Sequence, residues 1–258
     1  MPPSNSSQYN SHFFYFSGEA KYWKSYRISN QEKLLSSPNC IHFNCLQDSS
    51  EGNSHFLVTA STKVSLYDAS NDRIIRSYTR FSDDAYSGKF RKDNKLIVAG
   101  DKSGLVKVFD VQTKSMLRQM KKHTAGVRSV EWLASGVHMI SGSDDKRVFK
   151  WDLSTEEMVW SSKSYHSDYV RSVVAHPKET DIFVSGGYDH TAYMWDSRTD
   201  KPIISFDQTS LNGPIEHSLM SPSGTLLFIA CKNEIKVLIY SPCSYFSAYH
   251  SVSRCLIS

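Results

Sequence analysis

Apolar and polar positions alternate with a period of two in short runs along the chain, and nothing between residues 40 and 239 sustains a helical period. Such runs turn one face of a strand inward and the other outward. Five segments close alike: KVSLYD at 63–68, VKVFD at 106–110, RVFKWD at 147–152, AYMWDS at 192–197 and IKVLIY at 235–240. Asp68, Asp110, Asp152 and Asp196 mark the first four endings, 42, 42 and 44 residues apart, and the equivalent place near Ile239 follows 43 residues later. A unit of that length fits four short strands and their turns. The pattern predicts an all-β fold with repeat endings near 68, 110, 152, 196 and 239.

The units share an internal plan. A His or an aromatic residue precedes an alternating strand, as in HTAGVRSVEW from His123. A strand with small residues follows, such as MISGSDD from Met139, then a tight turn and a strand ending in aromatic-Asp. The last strand is more variable, as in MLRQM from Met116 or MVWSS from Met158. Four strands per unit, repeated, describe the blades of a β-propeller.

Segments 123–152 and 166–196 resemble complete WD repeats. His123, Ser141, Asp145 and Trp151 match the hydrogen-bonding tetrad of that family, as do His166, Ser185, Asp189 and Trp195. The resemblance implies a structural role, because a His buried between strands needs partners for both ring nitrogens. The other units depart from the pattern. Phe81 stands at the His position of the second, and Ser61 and Ser103 replace the turn Asp, so those blades are expected to be held mainly by apolar packing.

Composition narrows the class. The 258 residues suffice for a large β domain, with 40% apolar and 22% charged residues, as in ordinary soluble domains. A net charge of +4, from 30 basic and 26 acidic residues, is not by itself a nucleic-acid signature. The five cysteines, Cys40, Cys45, Cys231, Cys243 and Cys255, are odd in number and lack a Cys-x-x-Cys pair. The polar start MPPSNSSQYN has no basic region, and Phe13–Phe16 is too short for a signal core or a span. Free thiols in a reducing cytosolic or nuclear compartment are therefore expected.

Candidate chemistry is sparse. Ser185, His166 and Asp189, like Ser141, His123 and Asp145, imitate a hydrolase triad, but one triad per blade has no catalytic sense, and the repeat explains both sets. There is no nucleophile elbow, phosphate loop, dinucleotide fingerprint or zinc-ligand spacing, so no catalytic, cofactor or metal residue is expected. Arg91, Lys92 and Lys95, with Lys121, Lys122, Arg128, Arg147 and Lys150 of the next unit, form either a basic contact patch or a solvated rim. Trp195-Asp196-Ser197-Arg198 resembles the box by which some propellers dock as substrate receptors on cullin-four ubiquitin ligases. Cys255-Leu256-Ile257-Ser258 fits a prenylation pattern; otherwise no membrane association is expected.

Particular strings narrow the resemblance. They are Tyr22-Trp23-Lys24-Ser25-Tyr26, RFSDDAYSGKFRKDNKLIVAGDKSGLVKVFDV at 80–111, LRQMKKHTAGVRSVEW at 117–132, and YHSDYVRSV with FVSGGYDHTAYMWDSRT within 165–199. Of these, SDDAY and HSDYVR are not demanded by propeller geometry. Together the strings resemble the U-three small nucleolar RNA-associated protein fifteen family of the small-subunit processome. That resemblance implies a nucleolar, non-catalytic scaffold acting in 18S rRNA maturation and ribosomal RNA gene transcription. The implied partners are other WD-repeat processome subunits and pre-rRNA or small nucleolar ribonucleoprotein, contacted directly or indirectly. A cullin-four substrate receptor and a general adaptor are the alternatives. The family carries seven blades and a C-terminal helical domain, whereas five repeat endings are visible and the tail after Val237 diverges. The expected organisation is a flexible lead-in at 1–20, a propeller at 21–239 and a divergent tail at 240–258, the chain being C-terminally truncated. Five such blades either leave an open ring with exposed edges or close more tightly.

Overall fold

The computed structural model describes residues 37–44, 55–71, 73–207, 211–232 and 234–240, and the backbone of 249–252. The described strands all belong to the compact unit Leu34–Ser258. Blade 1 comprises β1 (Pro38–Phe43), β2 (His55–Ala60), β3 (Lys63–Asp68) and β4 (Ile74–Tyr78). Blade 2 comprises β5 (Ala85–Phe90), β6 (Leu96–Asp101), β7 (Leu105–Asp110) and β8 (Met116–Lys121). Blade 3 follows with β9 (Val127–Trp132), β10 (His138–Ser143), β11 (Val148–Asp152) and β12 (Met158–Ser161). Blade 4 holds β13 (Val170–Ala175), β14 (Ile182–Gly187), β15 (Ala192–Asp196) and β16 (Pro202–Phe206). Blade 5 holds β17 (Ile215–Met220), β18 (Leu226–Cys231), β19 (Glu234–Ile239) and β20 (Tyr249–Val252). The lead-in at 1–20, the string at 22–26 and Cys255 lie outside the described residues.

Each blade is an antiparallel meander in which every strand pairs with the next in sequence. Among the described residues there is no helix. Strand β20 falls inside the segment 240–258 that the sequence reading set apart as a tail, and its backbone completes blade 5 by pairing Leu238 with Tyr249 and Ile235 with Val252. The first strands, β1, β5, β9, β13 and β17, stand side by side in chain order and border one central cavity. Up-and-down order sends the inter-blade connections and the second-to-third turns to one end, the connector end. The first-to-second and third-to-fourth turns lie at the opposite end.

The core lies between blades. Leu133, Ile140, Val148 and Trp160 of blade 3 pack on Val170, Val173, Phe183 and Trp195 of blade 4. A comparable seam joins Val174, Ile182, Val184 and Met194 of blade 4 to Ile215, Leu227 and Ile229 of blade 5. Close approach at the seams between blades 2 and 3, 3 and 4, and 4 and 5 depends on a glycine near the end of the second strand. A Cβ on Gly100 would lie 2.6 Å from Val127, one on Gly142 2.7 Å from Val170, and one on Gly186 2.6 Å from Ile215. Those three partners open the next blade's first strand and are fully buried.

The aromatic-Asp endings have a local cause. Each Asp accepts a backbone N–H from the following turn: Asp68 from Ser70 at 2.9 Å, Asp110 from Thr113 at 2.6 Å, Asp152 from Ser154 at 2.6 Å and Asp196 from Arg198 at 2.9 Å. An Asp in this place folds its own side chain over the turn. All four carboxyls are held below the ordinary range, led by the Ser70 hydroxyl, the Thr113 and Ser154 N–H groups and the Arg198 guanidinium respectively. Blade 5 has Ile239 at this place.

Candidate functional site: buried tetrads, basic side chains and the central cavity

In blade 3 the turn entering β9 carries His123, β10 carries Ser141, the next turn carries Asp145, and β11 carries Trp151. His123 Nδ1 lies 2.7 Å from Asp145 Oδ2 and Nε2 lies 2.8 Å from Ser141 Oγ. Trp151 Nε1 donates to the same Ser141 oxygen at 2.8 Å. Blade 4 repeats the set, with His166 at 3.0 Å from Asp189 and 2.8 Å from Ser185, and Trp195 donating to Ser185 at 2.8 Å. An indole N–H only donates, so the Ser oxygen accepts from the tryptophan, while the imidazole bridges that hydroxyl and the carboxylate.

The carboxylates also tie chain segments together. Thr124 N donates to Asp145 at 3.1 Å and Ser167 N to Asp189 at 2.9 Å, joining each inter-blade connection to the second-to-third turn. Burial pushes both carboxyls up, but the His hydrogen bond and charge with the backbone donors outweigh it, and both sit below the ordinary range. The distances match those of a Ser-His-Asp hydrolase, but the setting does not. Ser141 and Ser185 have no exposed surface, and each oxygen already accepts an indole proton. No substrate carbonyl can approach them.

Blade 2 adds a polar contact to its apolar packing. Phe81 does take the His place, but the blade is not held by apolar packing alone. Lys107 Nζ is 3.2 Å from Asp101 Oδ2 in a buried ion pair, donates to the Arg80 carbonyl at 2.7 Å, and lies 4.7 Å from the Phe81 ring centroid. Lys107 occupies the place of the rings that contact the imidazoles in blades 3 and 4, Phe149 and Tyr193. Swapping a His-on-ring arrangement for a ring-on-cation one required a buried counter-ion, which Asp101 supplies.

The basic residues do not form one surface. Arg91, Lys92 and Lys95 sit in the β5–β6 turn at the opposite end, where Arg91 pairs with Asp93 at 2.5 Å and Lys92 Nζ donates to the Pro177 carbonyl at 2.5 Å. Arg147 lies in the β10–β11 turn and Lys121 and Lys122 leave β8, all at the connector end and exposed. Lys150 is buried, its ammonium shared by Asp181 and Ser197 at 2.8 Å each. That contact holds the Asp181 carboxyl down at about 2. Up-and-down strand order separates these groups; adjacency in sequence does not put them on one end. Arg198 folds onto Asp196, with its side chain 71% exposed.

Among the described residues no group of His, Cys, Asp and Glu is arranged to hold a metal ion. Cys40 and Cys231 are free thiols, and burial pushes Cys231 up. Sequence reasoning missed the cavity bordered by all five first strands, lined by Asn39, Tyr86, Arg128, Arg171 and Glu216 among others. Its volume is about 300 Å³. A ring of positions contributed by five different repeats leaves no contiguous signal.

Repeated four-stranded blades with buried His-Ser-Asp-Trp sets define a WD-repeat β-propeller, and the WD domain, G-beta repeat family matches residues 114–152 and 160–196. The chain carries WD repeats and resembles U3 small nucleolar RNA-associated protein 15. It is 36% identical over 216 residues to the homolog of that protein from Xenopus tropicalis, covering 84% of this chain and 40% of the relative. It is 40% identical over 155 residues to the Schizosaccharomyces pombe protein, covering 60% of this chain and 30% of the relative. The Saccharomyces cerevisiae protein is 28% identical over 223 residues, covering 85% and 42%. The matches thus span 30% to 42% of the length of these relatives.

Proposed function

We propose that this chain is a non-catalytic scaffold of the small-subunit processome, acting in pre-rRNA processing and 18S maturation within the nucleolus. The observation that carries the reading is similarity over 84% of the chain to proteins named for association with U3 small nucleolar RNA. The blades support it: their polar constellations are consumed by the fold, and what remains outward is surface. Partners of the proposed scaffold are other WD-repeat subunits, with pre-rRNA or the small nucleolar ribonucleoprotein reached directly or through them.

A fluorescently tagged chain tests the location. It should concentrate in nucleoli with a processome marker and disperse when ribosomal RNA transcription is inhibited. An even cytoplasmic signal, unaffected by that inhibition, would overturn the reading and leave a general adaptor.

A further inference from the structure

The first strand of every blade contains the same irregularity. In β1 the register steps from Pro38 opposite Ala60 to Cys40 opposite Thr59, so Asn39 is skipped. The same step skips Tyr86 in β5, Arg128 in β9, Arg171 in β13 and Glu216 in β17. Each skipped residue is the second of its strand, at the connector end. A β-bulge leaves one residue out of the ladder and re-aims its side chain. All five bulged residues line the central cavity of about 300 Å³.

Their chemistry is uneven around the ring. Arg128 donates through Nε to Asp144 at 2.7 Å, and its guanidinium carbon stands 4.0 Å from the Tyr86 ring centroid. Arg171 rests on Tyr188, 4.9 Å from that ring's centroid, and makes no ion pair among the described residues. Tyr188 in turn donates to the Glu216 carboxylate at 3.0 Å. Two guanidinium groups from adjacent blades therefore border one cavity, each carried on a tyrosine face. Planar guanidinium groups present paired N–H donors that match a carboxylate.

We propose that this mouth is a recognition site for a single acidic side chain, Asp or Glu, presented by a protein partner, with Arg128 and Arg171 as the anion-holding pair. The volume is at the small end of ligand pockets, roughly 300–1,000 Å³, and suits one inserted side chain. Surrounding charge selects against a polyanion. Asp83, Asp84, Asp144 and Asp168 lie at the same end with Glu216, so a phosphodiester backbone arriving there meets carboxylates on several sides. A lone carboxylate flanked by basic residues satisfies both the arginines and that acidic surround. Two strings not required by propeller geometry, SDDAY and HSDYVR, supply Tyr86, Arg171 and three of these acids.

The inference deepens the scaffold reading and rests on it for treating this end as a recognition surface; the test uses purified protein, so it can fail while nucleolar association stands. The probe is the peptide acetyl-Gly-Lys-Gly-Glu-Gly-Lys-Gly-amide, titrated into the full chain with arginine side-chain N–H resonances followed by NMR. Saturable shifts of Arg128 and Arg171 are expected, with binding at least tenfold weaker for the peptide carrying Gln in place of Glu. Arg171→Gln should reduce affinity at least tenfold, and Arg147→Gln, at the same end but outside the cavity, should leave it unchanged. Because Arg128→Gln also strands Asp144, Arg171→Gln is the deciding variant, and its unfolding midpoint should match the parent chain. Equal binding of the Gln peptide, indifference to Arg171→Gln, or no shift at millimolar peptide overturns the proposal. So does preferential shifting of Arg171 by a hexauridylate RNA, which would assign the mouth to nucleic acid.

Discussion

Ser141 shows how much can rest on a single hydroxyl. Two donors or acceptors, His123 Nε2 and Trp151 Nε1, share its oxygen in a fully buried place. Ser141→Ala strands both, and each orphaned buried group costs about 1–3 kcal/mol. The urea midpoint should fall accordingly, and Ser185→Ala should behave alike; an unchanged midpoint in both would remove the tetrads from the stability argument. The carboxylates give a pH signature. Asp145 and Asp189 have folded pKa values below the ordinary 3.8, so their contribution is present above that value and disappears as pH falls through the folded one. Acid unfolding below about pH 3.8 should steepen with both tetrads intact and flatten in His123→Gln; identical acid limbs would contradict the assignment. Lys150→Met offers a separate check, since the Asp181 carboxyl should then titrate well above its present value of about 2 by NMR. The tetrads are legible in sequence because four residue types recur at near-fixed spacing. The Lys107–Asp101 pair is not, because a Lys in a strand gives no sign of whether it points inward.

At the scale of strands and blades, the alternation and the closing Asp residues reveal where each unit ends, since Asp68, Asp110, Asp152 and Asp196 all cap the same turn. Blade 5 is harder, because Ile239 caps nothing and β20 comes after a segment lacking the repeat's markers. The bulges escape sequence reading altogether. Skipping Arg128 or Glu216 changes which face a side chain takes without changing the composition of the run, and only pairing with the next strand exposes it. The seam glycines permit a direct test of blade packing. Gly142→Val would drive a branched side chain into Val170, where even a Cβ comes within 2.7 Å. Overpacking of this kind costs about 1–3 kcal/mol. Thermal unfolding of Gly142→Val should shift down, whereas the same change at exposed Ser154 should not. Equal shifts would mean that blades 3 and 4 are not joined as closely as the seam implies.

The two hydrolase-like sets are buried and satisfied, the basic residues are divided between the two ends, and what the blades expose is mixed rim and a small polar cavity. Fold and repeat boundaries follow from the chain's own periodicity, but the partners do not, since many unrelated functions share this architecture. The proposed U3 association rests on similarity to relatives of which the chain spans about two fifths. Affinity purification of the tagged chain from growing cells, with bound proteins and RNAs both sequenced, decides the matter. Enrichment of U3 small nucleolar RNA, pre-rRNA and other WD-repeat processome subunits over a tag-only control is the expected outcome. A purified chain enriched in none of them, or recovered instead with cullin-four ligase components in an Arg198-dependent way, would contradict it.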